Sequence, residues 1–256
     1  MPGSPGITLL PDLYAHPSGV LWIPETQTAL VADVHLGYSW AQRRRGELGP
    51  LADSHTQQKL FDLCDDLAPR TIVFLGDLVH APRSSKPERS WIEETLTSLS
   101  TRAELIAVRG NHDRTFAREF GRLNIRFVES WCAKNLTAVH GHRLEFALPE
   151  AHTLILGHLH PCLGVKDASG ATQKLPLFLV TRKCIVLPAF SPFARGYDVV
   201  CGVPQELVAF FGGAEIQAYA ATGNRVVALG PLHQAIEKMF ESDVSGPERF
   251  RGTRSA

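Results

Sequence analysis

The chain has 256 residues, 44% of them hydrophobic and 20% charged, a balance that supports a buried core and excludes a disordered polyelectrolyte. Lys plus Arg equals Asp plus Glu at 26 each, so net charge gives no general attraction to nucleic acid or to an anionic membrane, and any polyanion site has to be local. No apolar run approaches the length of a membrane span, Met1 to Thr8 lacks the basic and apolar stretches of a signal peptide, and Cys64, Cys132, Cys162, Cys184 and Cys201 form no C-x-x-C and read as reduced thiols, so the expectation is a cytoplasmic protein.

After a Pro/Gly-rich start, Thr28 to Ala32 is an apolar run that stops at Asp33, the pattern of a buried strand delivering a carboxylate to a loop. Leu60, Leu63, Cys64 and Leu67 then fall at i, i+3, i+4 and i+7, which predicts a core-facing helix. Thr71 to Leu75 runs into Gly76-Asp77 as a second strand. Pro87 suits the first turn of a second helix, whose stripe is Ile92, Leu96 and Leu99. Leu105 to Val108 leads into Gly110-Asn111-His112-Asp113, Leu136 to Val139 into His140-Gly141-His142, and Thr153 to Leu156 into Gly157-His158-Leu159-His160. From about residue 123 short strands and Gly/Pro turns leave little room for helices until Pro231 to Ser242. The expectation is one α/β domain over residues 1–242, a sheet with helices outside it continued by a strand-rich second half in the same core, then a polar, frayed tail over residues 243–256.

Five strand-end loops thus carry Asp, Asn and His. Ligands of α/β sheets gather beyond the carboxyl ends of strands, so residues more than a hundred positions apart can meet there. Carboxylate with imidazole suits two borderline divalent cations, manganese, iron or zinc, whereas an all-oxygen site suits magnesium or calcium. Asp33 with His35, and His158 with His160, stand two apart and can each supply a ligand pair with little bending. Any one fragment is more often an ordinary turn or a satisfied core histidine; the conjunction, each fragment behind an apolar strand, is not.

In this order the fragments resemble the calcineurin-like phosphoesterase signature, D-x-H, GD, GNHD, H and GH-x-H. The resemblance implies a four-layer sandwich, two central mixed β-sheets flanked by helices. It implies one metal held by Asp33, His35, Asp77 and His160 and another by Asp77, Asn111, His140 and His158, with Asp77 bridging, and it makes His112 the catalytic, phosphate-facing histidine. Attack on phosphorus at neutral pH needs a deprotonated water and neutralised phosphoryl charge, and two divalent ions a few ångströms apart do both. A positioned imidazolium adds a proton or hydrogen bond for a poor leaving group. Three residues after Asp77 stands His80, where the protein phosphatase branch carries an Asp paired with the catalytic histidine, so the protein phosphatase reading falls.

The wording around these residues, Asp33-Val34-His35-Leu36-Gly37, Gly76-Asp77-Leu78-Val79-His80, Arg109-Gly110-Asn111-His112-Asp113-Arg114, Gly157-His158-Leu159-His160-Pro161 and Leu187-Pro188-Ala189-Phe190, is similar to the DNA-ligase-associated metallophosphoesterases, up to about residue 198, departing at Tyr38 where many relatives carry a basic residue. That similarity implies a manganese-dependent phosphodiesterase or nuclease acting on DNA in repair, in functional association with a DNA ligase or helicase. Arg109 and Arg114 flank the catalytic loop and are the expected substrate-binding residues. Further candidates for a phosphate backbone are Arg43-Arg44-Arg45, Arg118, Arg122, Arg182-Lys183 and Arg195, with Tyr38, Trp40 and Phe193 as stacking surfaces. The alternatives are a phosphomonoesterase or small-nucleotide hydrolase on the same scaffold, and a non-catalytic interaction module, whose mark would be eroded ligands.

Overall fold

A computed structural model of the chain describes residues 6–47, 52–81, 84–113, 115–143, 149, 151–166, 170–194 and 196–244. The first sheet has seven strands in sequence order: β1 (Ile7–Leu10), β2 (Leu13–Ala15), β3 (Leu21–Ile23), β4 (Thr28–Ala32), β5 (Thr71–Leu75), β6 (Glu104–Val108) and β7 (Ile125–Val128). β1 to β4 form an antiparallel meander and β4 to β7 run parallel. Parallel neighbours need crossovers. These are made by α1 (Tyr38–Arg44) and α2 (Ala52–Leu67) between β4 and β5, α3 (Lys86–Ser100) between β5 and β6, and α4 (Phe116–Phe120) before β7.

The second sheet contains β8 (Trp131–Ala133), β9 (Leu136–Val139), β10 (Thr153–Leu156), β11 (Pro161–Lys166), β12 (Thr172–Val180), β13 (Cys184–Val186), β14 (Tyr197–Asp198), β15 (Gln217–Ala221) and β16 (Val226–Pro231). Its order is β14-β11-β12-β13-β10-β9-β8, with β15 also pairing β12 and β16. The strands β9, β10 and β13 lie parallel at its centre. Two further helices, α5 (Gln205–Phe211) and α6 (Leu232–Val244), follow β14 and β16.

Side-chain alternation turns these sheets into layers. Within β4, Ala29 and Val31 face α2 and α3, meeting Leu60, Leu63, Ile92 and Leu96, while Leu30 and Ala32 face the second sheet. β5 and β6 divide in the same way: Ile72, Phe74, Leu105 and Ala107 point to the helices, and Val73, Leu75, Ile106 and Val108 meet Ala138, Ile155, Phe178 and Ile185. The far face of the second sheet, with Leu154, Leu156, Leu177 and Val186, is covered by Leu207 and Phe211 of α5 and Leu232 of α6. Strands covered on both faces read as unbroken apolar runs, which is why β4 and β5 stand out in the sequence. The result is a mixed α/β fold of two β-sheets between helical layers.

Three local readings change. β1 to β3 precede the first anticipated strand, each only three or four residues long. Helix α5 lies where little room for a helix was expected; it starts after Pro204 and, among its described side chains, fully buries Leu207 and Phe211, too little apolar stripe to register. Asp243 and Val244, assigned to the tail, are helical in α6, and residues 245–256 of that tail lie outside the described residues. Among the described residues no helix is long and apolar enough to cross a membrane.

Parallel register brings the strand ends level. Ala32 pairs with Leu75 and Leu75 with Val108 in one sheet, and Val139 pairs with Leu156 and Leu156 with Val186 in the other. The residue after each such end is therefore released at the same edge. The two edges are joined there: Phe190 N donates to Ala32 O at 2.8 Å and Ser191 N to Asp33 O at 3.2 Å, while Leu187 N bonds Leu156 O at 2.8 Å.

Candidate metal centre

Beyond Ala32 and Leu75 the chain turns sharply and then pairs again. His35 N donates to Asp77 O at 2.9 Å, Leu36 N to Leu78 O at 2.9 Å and His80 N to Leu36 O at 2.8 Å, closing an isolated parallel bridge between Leu36 and Val79. Buried Val34, Leu36, Leu78 and Val79 anchor this second pairing. The intervening polar residues are left as outward kinks of a fixed frame. The kinks are strained: Asp33 (φ 56), His35 (φ 52), Asp77 (φ 48), His158 (φ 66) and His160 (φ 51) are five of the nine non-glycine residues with positive φ among the described residues. Each such residue costs about 1–3 kcal/mol, and such strain gathers at functional sites. Gly76 (φ 74) permits the turn, and a Cβ there would lie 2.4 Å from the His140 ring.

Each aspartate divides its two oxygens between structure and site. Asp33 Oδ2 accepts from His158 N at 2.9 Å, and Asp77 Oδ1 accepts from His112 N at 2.8 Å. The other oxygens face imidazoles. Asp33 Oδ1 lies 3.0 Å from His160 Nε2 and 3.7 Å from His140 Nδ1, and Asp77 Oδ2 lies 3.4 Å from His140 Nε2 and 3.9 Å from His112 Nε2. Asp33 is fully buried, and its Oδ1 has no hydrogen bond of good geometry despite these neighbours.

His140 is oriented by Leu75, whose carbonyl lies 2.9 Å from Nδ1 and can only accept, so Nδ1 carries the proton. Its Nε2 then faces Asn111 Oδ1 at 3.0 Å, His158 Nδ1 at 3.2 Å and Asp77 Oδ2 at 3.4 Å. Four potential donors to a cation thus converge on one point. Asp77, His140 and His158 form one compact donor group, and Asp33, His35 and His160 form another. His35, His80 and His112 make a third beside it. His35 Nδ1 and His80 Nδ1 stand 3.3 Å apart.

The protonation equilibria match a cation site. Burial dominates at His35 and lowers its pKa to about 3, leaving a neutral ring with a lone pair to offer. Burial alone would raise the carboxyls, but His160 beside Asp33 and His140 beside Asp77 hold both below the ordinary range. Burial likewise pulls His140 down, yet the Asp77 hydrogen bond and the nearby Asp33 charge outweigh it and raise His140 to about 9. In the metal-free chain a proton on His140 therefore neutralises the buried carboxylates where a cation would do so. Buried charges need such a partner. Clustered imidazole and carboxylate donors with an orphaned buried oxygen fit divalent ions.

Around the donors stand residues that the motif did not assign. Asp113 is buried; its Oδ2 accepts from Gly110 N at 3.0 Å and its Oδ1 from Val79 N at 3.3 Å, and burial, then the Asp77 charge, raises it to about 6. It braces the two loops that carry Asp77 and Asn111. His80 stacks on His112 with centroids 5.5 Å apart, and its carbonyl lies 2.6 Å from His112 Nδ1. A backbone acceptor thus orients His112 where the protein phosphatase branch uses a carboxylate. His142 sits beside His140 and His158, with ring centroids 5.3 and 6.2 Å away. The loop pattern His140-Gly141-His142 was the only sequence signal for it.

Two cavities open on the cluster. One, of about 630 Å³, is lined by Asn111 and His140 together with Arg109, His142 and Arg143. The other, of about 640 Å³, is lined by His35, His112 and His160 together with Tyr38, Arg44 and Arg45. Of the expected substrate-binding residues, Arg109 faces Glu129 at 3.2 Å and lies over the Phe127 ring at 5.4 Å. Arg114 lies outside the described residues, as does Arg195. Arg44 is paired with buried Glu88. Arg182 and Lys183 precede β13 and so lie at the opposite end of the sheet, Arg182 on a small cavity with Asp12 and Lys134. Arg43 lies over Trp40, in a shallow cavity with Asp53 and Trp91 that none of the metal-ligand candidates lines. Arg118 and Arg122 are exposed on and after α4, and Phe193 meets the His55 ring at 6.2 Å.

The crystal structure of the nuclease MPE of Pseudomonas putida superposes with a TM-score of 0.63 over 85% of this chain and 94% of that one, at 22% identity. At that identity the likeness concerns the fold. No curated protein matches the sequence. The profile of the calcineurin-like phosphoesterases matches residues 26–170, an interval that spans every donor from Asp33 to His160. With more than half of its length inside that match, this chain belongs to the calcineurin-like phosphoesterase family and is a hydrolase of phosphate esters.

Proposed function

We propose that the chain hydrolyses phosphodiester bonds in nucleic acid, DNA in the first instance, with Asp33, His35, Asp77 and His160 holding one divalent ion and Asp77, Asn111, His140 and His158 the other. When bound, such a pair supplies an activated water and neutralises charge on the phosphoryl oxygens. The chain's own residues do the rest. Asp33 and Asp77 keep their second oxygens on backbone N–H groups of the facing loops, so the donor set is held before anything binds. His112 keeps its Nδ1 proton on the His80 carbonyl and, as the imidazolium protonated at Nε2 too, presents that second N–H to the leaving oxygen, where it donates a hydrogen bond or a proton.

The observation that carries the diester reading is the pair of cavities. Among the described residues none lines both; one opens on Asn111 and His140, and the other opens on His35, His112 and His160. A phosphate seated on the cluster has room for a substituent on each side. A monoester requires only one. On the second cavity Arg44 is held by Glu88 and Glu47 also lines the wall, so Arg45 is the arginine placed to meet a phosphate backbone. Manganese is the proposed metal because mixed carboxylate and imidazole donors suit it; iron and zinc are its competitors. A repair role beside a DNA ligase or helicase is proposed from the sequence similarity described above, and a cytoplasmic location from the reduced-thiol pattern of the cysteines.

A metal-by-substrate screen on apo-protein tests this reading. With manganese, bis(p-nitrophenyl) phosphate and single-stranded DNA should be cleaved faster than p-nitrophenyl phosphate. Turnover of the monoester with both diesters untouched would replace the proposal with a phosphomonoesterase.

A further inference from the structure

We propose that the cavity opening on Asn111 and His140 is a nucleoside subsite, holding the sugar and base on one side of the scissile phosphate. This rests on the phosphodiesterase reading and adds to it which wall of the molecule reads the nucleoside. Three observations lead there. The cavity begins at the cluster itself, because Asn111 and His140 belong to both, so a group esterified to a phosphate on the cluster enters it directly. Its volume of about 630 Å³ lies in the range of small-molecule sites and far exceeds what a methyl or simple alkyl ester fills. Its lining is mixed: Val139, Cys132 and Pro149 give apolar surface, and Arg109, Arg143 and His152 give cationic and imidazole groups.

That combination suits a flat heterocycle with carbonyl and amino edges. Guanidinium groups donate to carbonyl oxygens and stack on aromatic faces. Glu129, also on the lining, accepts from exocyclic amines. The Arg109–Glu129 pair, at 3.2 Å, is formed by half-exposed and exposed side chains, so little free energy opposes its re-pairing to a ligand. His152 is fixed by Thr137, whose Oγ1 lies 2.8 Å from Nδ1, leaving the far edge of the ring toward the cavity. The opposite cavity is lined by Tyr38, Arg45 and the imidazoles of His80 and His112, and its other apolar residues among the described ones are alanines, without the larger aliphatic groups of the first. It suits the continuing phosphate backbone.

Cys132 makes the subsite measurable. Cys132 and Cys201 are exposed, and Cys64, Cys162 and Cys184 are buried; only Cys132 lines this cavity. The manganese-loaded full chain is treated with N-ethylmaleimide, and alkylation of each cysteine is followed by peptide mass spectrometry. Thymidine 3′- or 5′-monophosphate, at a concentration shown by calorimetry to saturate the protein, should slow alkylation of Cys132 at least about tenfold, the change a difference of 1.4 kcal/mol produces. Cys201 should react as before. Inorganic phosphate, which occupies the cluster alone, should protect neither. Equal protection by phosphate, an unprotected Cys132 at saturation, or no nucleotide binding would each overturn the subsite.

A Cys132→Trp variant gives a second reading, since it fills the cavity from a strand that supplies no metal donor. It should raise KM for thymidine 5′-(p-nitrophenyl phosphate) by about tenfold while methyl p-nitrophenyl phosphate is hydrolysed as by the wild type. A common loss on both substrates, or on neither, overturns the assignment. Because protection is read without turnover, the two failures separate: protection with no diester hydrolysis under any metal sinks the activity and keeps the subsite, and hydrolysis without protection does the reverse.

Discussion

His112 is aimed by a backbone group rather than a side chain. With Nδ1 2.6 Å from the His80 carbonyl, which can only accept, the proton there is fixed and Nε2 is the working atom. The ring is also held in plane by His80, at an interplanar angle of 22°, while its side chain remains 36% exposed toward the cavity. His112 holds the Asp77 carboxylate through its peptide N–H at 2.8 Å, while its ring Nε2 stays farther off, 3.9 Å from Asp77 Oδ2. His112→Ala should therefore keep metal binding, as measured by calorimetry, and lose turnover. The loss should be about 10²- to 10⁴-fold for alkyl leaving groups, the usual worth of general acid catalysis, and much smaller for p-nitrophenolate, which departs without a proton. Equal slowing of good and poor leaving groups would remove proton donation from His112. Asp113, by contrast, is a brace: both oxygens receive backbone N–H groups and neither faces the donor cluster as a ligand.

At the scale of elements, the site is built by strands that end level and by loops that have no room to relax. Gly110 shows how little room there is. A Cβ on it would stand 2.2 Å from Asp77 N and 2.3 Å from Asp77 Oδ1, with Asp113 Oδ2 at 3.0 Å. Two of those atoms belong to the residue shared by the two proposed ions, and the closest is backbone, so nothing flexible can swing aside. Gly110→Ala should cost about 1–3 kcal/mol in thermal or denaturant unfolding of the apo-protein, the range of overpacked sites, and weaken metal binding further because Asp77 has to move. Wild-type stability together with wild-type metal affinity would show that this loop yields and that the packing argument is wrong.

The same elements show what the sequence could and could not disclose. β4, β5, β9 and β10 begin and end where their apolar runs do, because buried strand positions stay apolar, or carry only a threonine, until the loop. α2 and α3 are announced by stripes that meet the core cluster. β1 to β3 are too short for alternation to be distinguished from chance, and α5 fully buries two of its described side chains. The candidate donors could be picked out in the loops from the order of motifs, but the αL turns at Asp33, His35, Asp77, His158 and His160 could not, since aspartate and histidine lack the permissiveness that makes glycine a signal. The His80 carbonyl was illegible for a simpler reason: every residue has one. Arginines were the least readable, because surface charge leaves no periodic trace; Arg182 and Lys183 went to the far end of the sheet and Arg44 to Glu88.

For the whole molecule, the edge that carries the site is also where its halves are tied together. First-sheet loops supply Asp33, His35, Asp77 and Asn111, and second-sheet loops supply His140, His158 and His160. The segment after β13 crosses between them, bonding Ala32 and Asp33 through Phe190 and Ser191. The outer helix layer reaches the same segment through Lys59 of α2, which donates to the Phe190 carbonyl at 2.8 Å with its amine 4.1 Å from the Phe190 ring. Burial pulls Lys59 down from 10.5 to about 8. A lysine whose folded pKa is depressed binds fewer protons in the native state than in the unfolded one between those two values, so stability rises with pH across that window. Below about pH 8 the charged form is present in both states and its desolvation opposes the fold in full; above about pH 10.5 it is neutral in both and still donates to Phe190 O. Denaturant unfolding of wild type and Lys59→Met should therefore diverge in slope between pH 8 and 10.5, the wild type gaining up to about 3 kcal/mol relative to the variant, the free-energy equivalent of the shift. The Lys59 amine touches no proposed metal donor, so the same difference is expected with and without manganese. Parallel pH profiles for the two proteins would mean that the amine reaches water and that α2 is not tied to the crossing segment through this contact.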